Sequence, residues 1–105
     1  MPVSERPFDW DQANITHLAL HNVLPSEAEE AVIHRPIYLH FSVRGGEDRF
    51  VHVGETFAGR VLFFVVTPRN ALTRVVTAYP PSPEIRAFYA RERDVQYGNR
   101  EENPS

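Results

Sequence analysis

Val61-Leu62-Phe63-Phe64-Val65-Val66 is the longest apolar run in the chain, and its reading decides the fold. An unbroken run of this kind between turn residues predicts a central strand, Arg60 to Thr67, covered on both faces. A central strand needs neighbours, and the flanking sequence supplies them. Upstream, Ile37 to Val43 sets Ile37, Leu39 and Phe41 against Tyr38, His40 and Ser42. Gly45-Gly46-Glu47-Asp48 then reads as a hairpin turn, followed by a strand from Arg49 to Glu55 and a turn near Ala58-Gly59. Downstream, Pro68-Arg69-Asn70 reads as a turn and Thr73 to Tyr79 as the last strand. Connections this short favour an antiparallel meander of four strands.

Helical signals flank the strands. Asp11 suits the N-cap of a first helix running to His21, and Asn22 suits the left-handed residue that ends it. Pro25 fits the first turn of a second helix, with Glu27, Glu29 and Glu30 near its positive end; that helix should stop before Pro36. Pro80, Pro81 and Pro83 cannot continue a central strand. Ser82 and Pro83 instead open a last helix, on which Ile85, Phe88 and Tyr89 form a stripe facing the sheet. The fold class is therefore α+β: two N-terminal helices, a four-stranded antiparallel meander and a C-terminal helix. Residues 1–7 are expected to be flexible, residues 8–93 to form a single domain, and residues 94–105 to be a polar, disordered tail.

Composition narrows the function classes. A chain of 105 residues with 42% hydrophobic content buries one compact core. The longest apolar run falls far short of the ~20 residues of a membrane-spanning helix, and no export signal is read, so a cytoplasmic protein is expected. The absence of cysteine removes disulfides, thiolate metal sites and cysteine nucleophiles. Net charge is -3, yet residues 34–93 hold nine arginines against five carboxylates. That locally basic middle is compatible with a phosphate-binding surface. There is no nucleotide-binding glycine loop and no serine hydrolase elbow.

The chemistry-bearing residues fall into two groups. Asn14, His17 and His21 recur at helical spacing, so one helix face carries all three. Two histidines four apart could ligate a metal, but the zinc protease Glu is missing and a third ligand would have to come from His34, His40, His52 or a carboxylate, so neither metal nor cofactor is expected. Structural histidines or acid–base histidines are the better readings. Arg49 and Arg74 share alternation with apolar strand residues, so each needs either a place at the sheet's margin or an anionic partner: an ion pair with Glu84 or Glu55, or a phosphate. Glu84 is explained by the helix dipole, and Tyr89 reads as core with its hydroxyl at the edge.

Several short motifs, in order, resemble the BrnT-like toxins, the ribonuclease components of bacterial type II toxin-antitoxin pairs. They are Phe8-Asp9-Trp10-Asp11 with the Asn14/His17/His21 helix, Val23 to Glu30, Arg49-Phe50-Val51-His52-Val53-Gly54, the Gly59-Arg60 turn, and Arg74-Val75-Val76-Thr77-Ala78 leading to Glu84 and Tyr89. The resemblance covers about residues 8 to 92. It implies a RelE-like fold, cleavage of RNA without a metal, and a cognate antitoxin that also binds DNA, with the complex often assembled around a toxin homodimer. Carried onto this chain, it implies His17 or His21 for proton transfer, Arg49 and Arg74 for the phosphate, and Glu84 or Tyr89 in support. Asn14, Arg60 and Tyr79 are the expected substrate contacts. Similar sequences continue the last strand with an arginine where this one has Tyr79, and carry Gly where this one has Asn22. Tyr79 has no positive charge at neutral pH. The alternative reading is therefore a member that keeps the fold as a protein- or RNA-binding regulatory module without catalysis.

Overall fold

A computed structural model describes residues 8–98. Along it run α1 (Gln12–Ala19), α2 (Pro25–Ile33), β1 (Ile37–Arg44), β2 (Glu47–Glu55), β3 (Val61–Arg69), β4 (Leu72–Tyr79) and α3 (Pro83–Tyr97). The strands form one antiparallel sheet in the order β1-β2-β3-β4, the expected α+β meander. Residues 1–7 and the end of the expected tail lie outside the described residues.

Each helix starts on the chemistry expected for it. The Asp11 side chain accepts the Asn14 N–H at 2.8 Å, a cap contributing about 0.5–2 kcal/mol. Ser82 Oγ does the same for Ile85 N–H at 3.3 Å. In α2, Pro25 opens the first turn, and Glu27 reaches back to the Leu24 N–H at 3.0 Å. The first helix is shorter than the stretch to His21 suggested by its polar row. Asn22 at φ +62° closes a Schellman turn, in which the Val23 N–H reaches the Leu18 carbonyl and the Asn22 N–H that of Ala19. His21 therefore sits in the terminating turn. At the other end of the chain, α3 continues past Asp94, where the tail was expected to begin, as far as Tyr97, whose hydroxyl donates to the Pro36 carbonyl.

Two hairpin turns are tighter than expected. Gly45 and Gly46 both have positive φ, so Glu47 and Asp48 join β2 instead of the turn. Asn70 and Ala71 likewise occupy the left-handed region, and Pro68 and Arg69 remain in β3. Pro68 is tolerated there because β2 pairs with β3 only as far as Phe50↔Val66, so no ladder bond is lost on that side.

Alternation along β3 divides the apolar run between two layers. Leu62 and Phe64 join Val75 and Ala78 beneath Leu18, Val23, Ala28 and Ala31 of the N-terminal helical pair. Val61 faces the other way, with Ile37, Val53 and the buried Tyr89, flanked by Ile85 and Phe88 of α3. Both faces are thus covered near Val61. Farther along, Phe63 and Val65 are only half-buried. The helix α3 leaves the far half of this second face open, and that open half is where the charged residues gather.

Candidate functional site

The edge strand β4 carries a bulge that reorganises its outer half. On β3, Val65 pairs with Thr77 and Val66 with Val75, which leaves Val76 as the extra residue. The Asn14 side-chain amide donates to the Val75 carbonyl at 2.9 Å, and this buried bond ties α1 to the bulge. Its Oδ1 is buried with no partner among the described residues. Next to the bulge, residues ahead of α1 lie along β4: Phe8 bridges Thr73, and the Asp9 N–H donates to the Thr73 carbonyl at 2.9 Å. The chain is thereby laid so that Asp9 and Asp11 both reach Arg74.

Between α1 and the open sheet face lies a cleft of about 400 Å³ lined by Asn14, His17, Glu47, Arg49, Arg74 and Val76. Arg74 stands between two carboxylates, with Nη2 3.1 Å from Asp11 Oδ2 and Nη1 3.5 Å from Asp9 Oδ2. Asp9 also faces Arg69 at 3.7 Å. The Asn14 N–H, reinforced by Arg74, holds the Asp11 carboxyl below the usual carboxylate range. Across the cleft, Arg49 Nε donates to Oε1 of Glu47 at 3.1 Å, and Nη2 makes an ion-pair contact with the same oxygen at 3.0 Å. Neither contact uses Oε2. His17 enters from α1 with Nε2 3.2 Å from Thr77 Oγ1. The cleft therefore unites one imidazole, two guanidiniums and one carboxylate.

An aromatic row continues from the cleft along the same face. The His17 and His21 rings meet edge-on at 5.4 Å, His21 lies 5.4 Å from Tyr79, and Tyr79 stacks on Phe63 at 5.0 Å and 24°. Phe63 and Tyr79 are directly paired across β3 and β4, which explains the stack. Such a row offers flat apolar faces beside a cleft that carries two arginines.

Other expected site residues lie elsewhere. Arg60 is committed to the Asn22 carbonyl at 2.8 Å and Glu27 at 2.9 Å, where it fastens the loop between α1 and α2 to the start of β3. Glu84 is exposed in the first turn of α3. Tyr89 is fully buried, donating to the Arg35 carbonyl at 2.9 Å and to Glu55 at 3.2 Å. Burial, then the Glu55 charge, pushes its hydroxyl far above the ordinary tyrosine range. The ion pairs anticipated between the two strand arginines and Glu84 or Glu55 do not form. Glu55 instead meets Arg93 at 3.6 Å and Arg35 at 4.0 Å, on the side of the sheet end held by α3. Glu47 and the pair Asp9/Asp11 are site residues that sequence reading missed. Glu47 and Arg49 are two apart on one strand and so share a face, a signal hidden while Glu47 was assigned to the turn. Among the described residues, no cluster of three His, Cys, Asp or Glu side chains could hold a metal ion.

A family model described as the ribonuclease toxin BrnT of type II toxin-antitoxin systems matches residues 10–84, from the start of the α1 segment to the start of α3. Comparison with curated proteins finds no match.

Proposed function

Since the chain belongs to the BrnT family of ribonuclease toxins from type II toxin-antitoxin systems, we propose that the cleft beneath α1 is where RNA is cut, by transesterification without a metal. The carrying observation is that His17, Arg49 and Arg74, separated by up to 57 positions in sequence, line one open cleft. In the reaction, the ribose 2′-oxygen attacks the adjacent phosphorus and the bond from phosphorus to the 5′-oxygen breaks. Arg49 and Arg74 offset the charge that builds on the non-bridging oxygens, a role suited to planar guanidiniums. His17 gives a proton to the departing 5′-oxygen. Tyr79, flanked by His21 and Phe63, receives a base next to the scissile phosphate, so the aromatic residue serves binding where an arginine would have served charge. Arg60, Glu84 and Tyr89 take no part in this reading. The family places the toxin opposite an antitoxin protein, and we take that protein to be this chain's regulatory partner.

One observation favours the second reading, a binding module without catalysis: each cleft arginine already carries a carboxylate, Arg49 that of Glu47 and Arg74 those of Asp9 and Asp11. Induced production in bacteria separates the two. Growth arrest with fragmented RNA, abolished by Arg74→Ala in a folded protein, supports the nuclease. Normal growth and intact RNA with abundant folded protein support the binding module.

A further inference from the structure

Transesterification needs two proton transfers, and His17 accounts for only one. The proton of the 2′-hydroxyl has to leave as the 2′-oxygen attacks, and the acceptor must stand across the phosphate from the acid. Arginines cannot serve, because they stay protonated. Asp9 and Asp11 spend their carboxylates on Arg74 and the α1 cap. Among the described residues the cleft itself is lined by one carboxylate, Glu47, which stands on β2, across from the helix that carries His17.

Resting on the ribonuclease reading, we propose that Glu47 is the general base of the reaction, receiving the 2′-hydroxyl proton on Oε2. Arg49 holds Oε1 through the Nε hydrogen bond and the Nη2 ion-pair contact, which leaves Oε2 as the oxygen without a protein partner among the described residues. The same guanidinium keeps further N–H groups for the phosphate, so base and phosphate clamp move as a unit. The step balances without any co-reactant. The 2′-O–H bond breaks with its proton passing to Glu47, the 2′-oxygen to phosphorus bond forms, the phosphorus to 5′-oxygen bond breaks, and His17 supplies the proton that makes the 5′-hydroxyl. The products are a 2′,3′-cyclic phosphate and a 5′-hydroxyl end, with Glu47 protonated and His17 neutral. Proton exchange with water resets both.

The test uses the purified full chain and an RNA oligonucleotide with one mapped cleavage position, made also with sulfur replacing the 5′-oxygen there. Sulfur leaves without protonation, so that substrate bypasses the acid but not the base. Glu47→Gln is expected to slow cleavage of the all-oxygen RNA by roughly 10²- to 10⁴-fold, the usual scale for a lost proton-transfer group. It should also abolish the rise of rate with pH on the acidic limb, and its defect should persist on the sulfur substrate. His17→Ala should be largely relieved by sulfur. Glu47→Asp, which keeps the charge and the arginine partner, should retain intermediate activity, and thermal melts establish that all variants fold. Glu47→Gln cleaving within threefold of wild type, or rescued by sulfur, overturns the assignment while His17→Ala and Arg74→Ala remain inactive. If those two variants also cleave normally, the ribonuclease site itself is misplaced.

Discussion

Asn14 of α1 and Val75 of β4 are joined by a buried hydrogen bond of 2.9 Å across 61 positions of sequence. The carbonyl it satisfies belongs to the bulged stretch of β4, where the pairing with β3 shifts register. One side chain thus fixes the helix that carries His17 to the strand that carries Arg74.

Losing that bond should cost stability before it costs chemistry. Asn14→Ala is expected to destabilise the fold by about 1–3 kcal/mol, because the Val75 carbonyl is left buried and unpaired. In a domain of this size each kcal/mol lowers the melting temperature by about 4–8 °C. Asn14→Asp should be worse at neutral pH, since it sets a carboxylate against a carbonyl. Thermal melts of the three proteins check the order.

Gly54 lies where β2 passes closest to α2. A Cβ there would run into the Ala31 carbonyl oxygen and crowd the Phe64 ring at 3.2 Å. Backbone cannot swing aside as a flexible side chain would, so Gly54→Ala should cost about 1–3 kcal/mol by overpacking. Its urea midpoint should fall well below that of Gly46→Ala, where nothing stands within 4 Å and only the positive φ is strained.

Stability should also depend on pH through His52. Its ring stacks on Phe64 at 5.2 Å and 6°, and burial lowers its pKa below the ordinary 6.5. The unfolded chain therefore takes up a proton first as pH falls. The full contribution is present above about pH 6.5, declines below it, and stops declining once the folded pKa is passed. Urea midpoints at pH 8 and pH 5.5 should differ more for wild type than for His52→Phe, the difference between the two proteins isolating this group.

Tyr79 tests the aromatic row. If it receives a base, Tyr79→Ala should weaken RNA binding by about 1–3 kcal/mol, roughly 5- to 150-fold in Kd. Tyr79→Phe should bind as wild type does, since stacking uses the ring and not the hydroxyl. Filter binding of a single-stranded RNA to a cleavage-deficient Arg74→Ala background reads both.

The architecture was legible because local chemistry and burial agree. Proline at helix starts, Asp11 and Ser82 as caps, Asn22 as the left-handed stop, and the unbroken run from Val61 to Val66 each point to the element they form. Boundaries slipped where two-residue turns compete with longer ones: Glu47-Asp48 and Pro68-Arg69 look like turn residues but can pair in the ladder. The site was legible only in part. Helical spacing placed Asn14, His17 and His21 on one face, and strand alternation singled out Arg49 and Arg74. Their partners were not legible, because a bulge at Val76 and the lie of Phe8 and Asp9 along β4 arise from tertiary packing and leave no periodic trace. Arg60 shows the converse limit, since a motif position gives no sign of which contacts it will make, whereas the helical stripe had already placed Tyr89 in the core.

Metal-free transesterification in the cleft is tested by end-group analysis of RNA cut by the purified protein in the presence of excess chelator. Cleavage should continue and leave 2′,3′-cyclic phosphate and 5′-hydroxyl ends, with both products lost in His17→Ala and Arg74→Ala. Cleavage abolished by the chelator, or fragments ending in 3′-hydroxyl and 5′-phosphate, would contradict a metal-free transesterification in the cleft beneath α1.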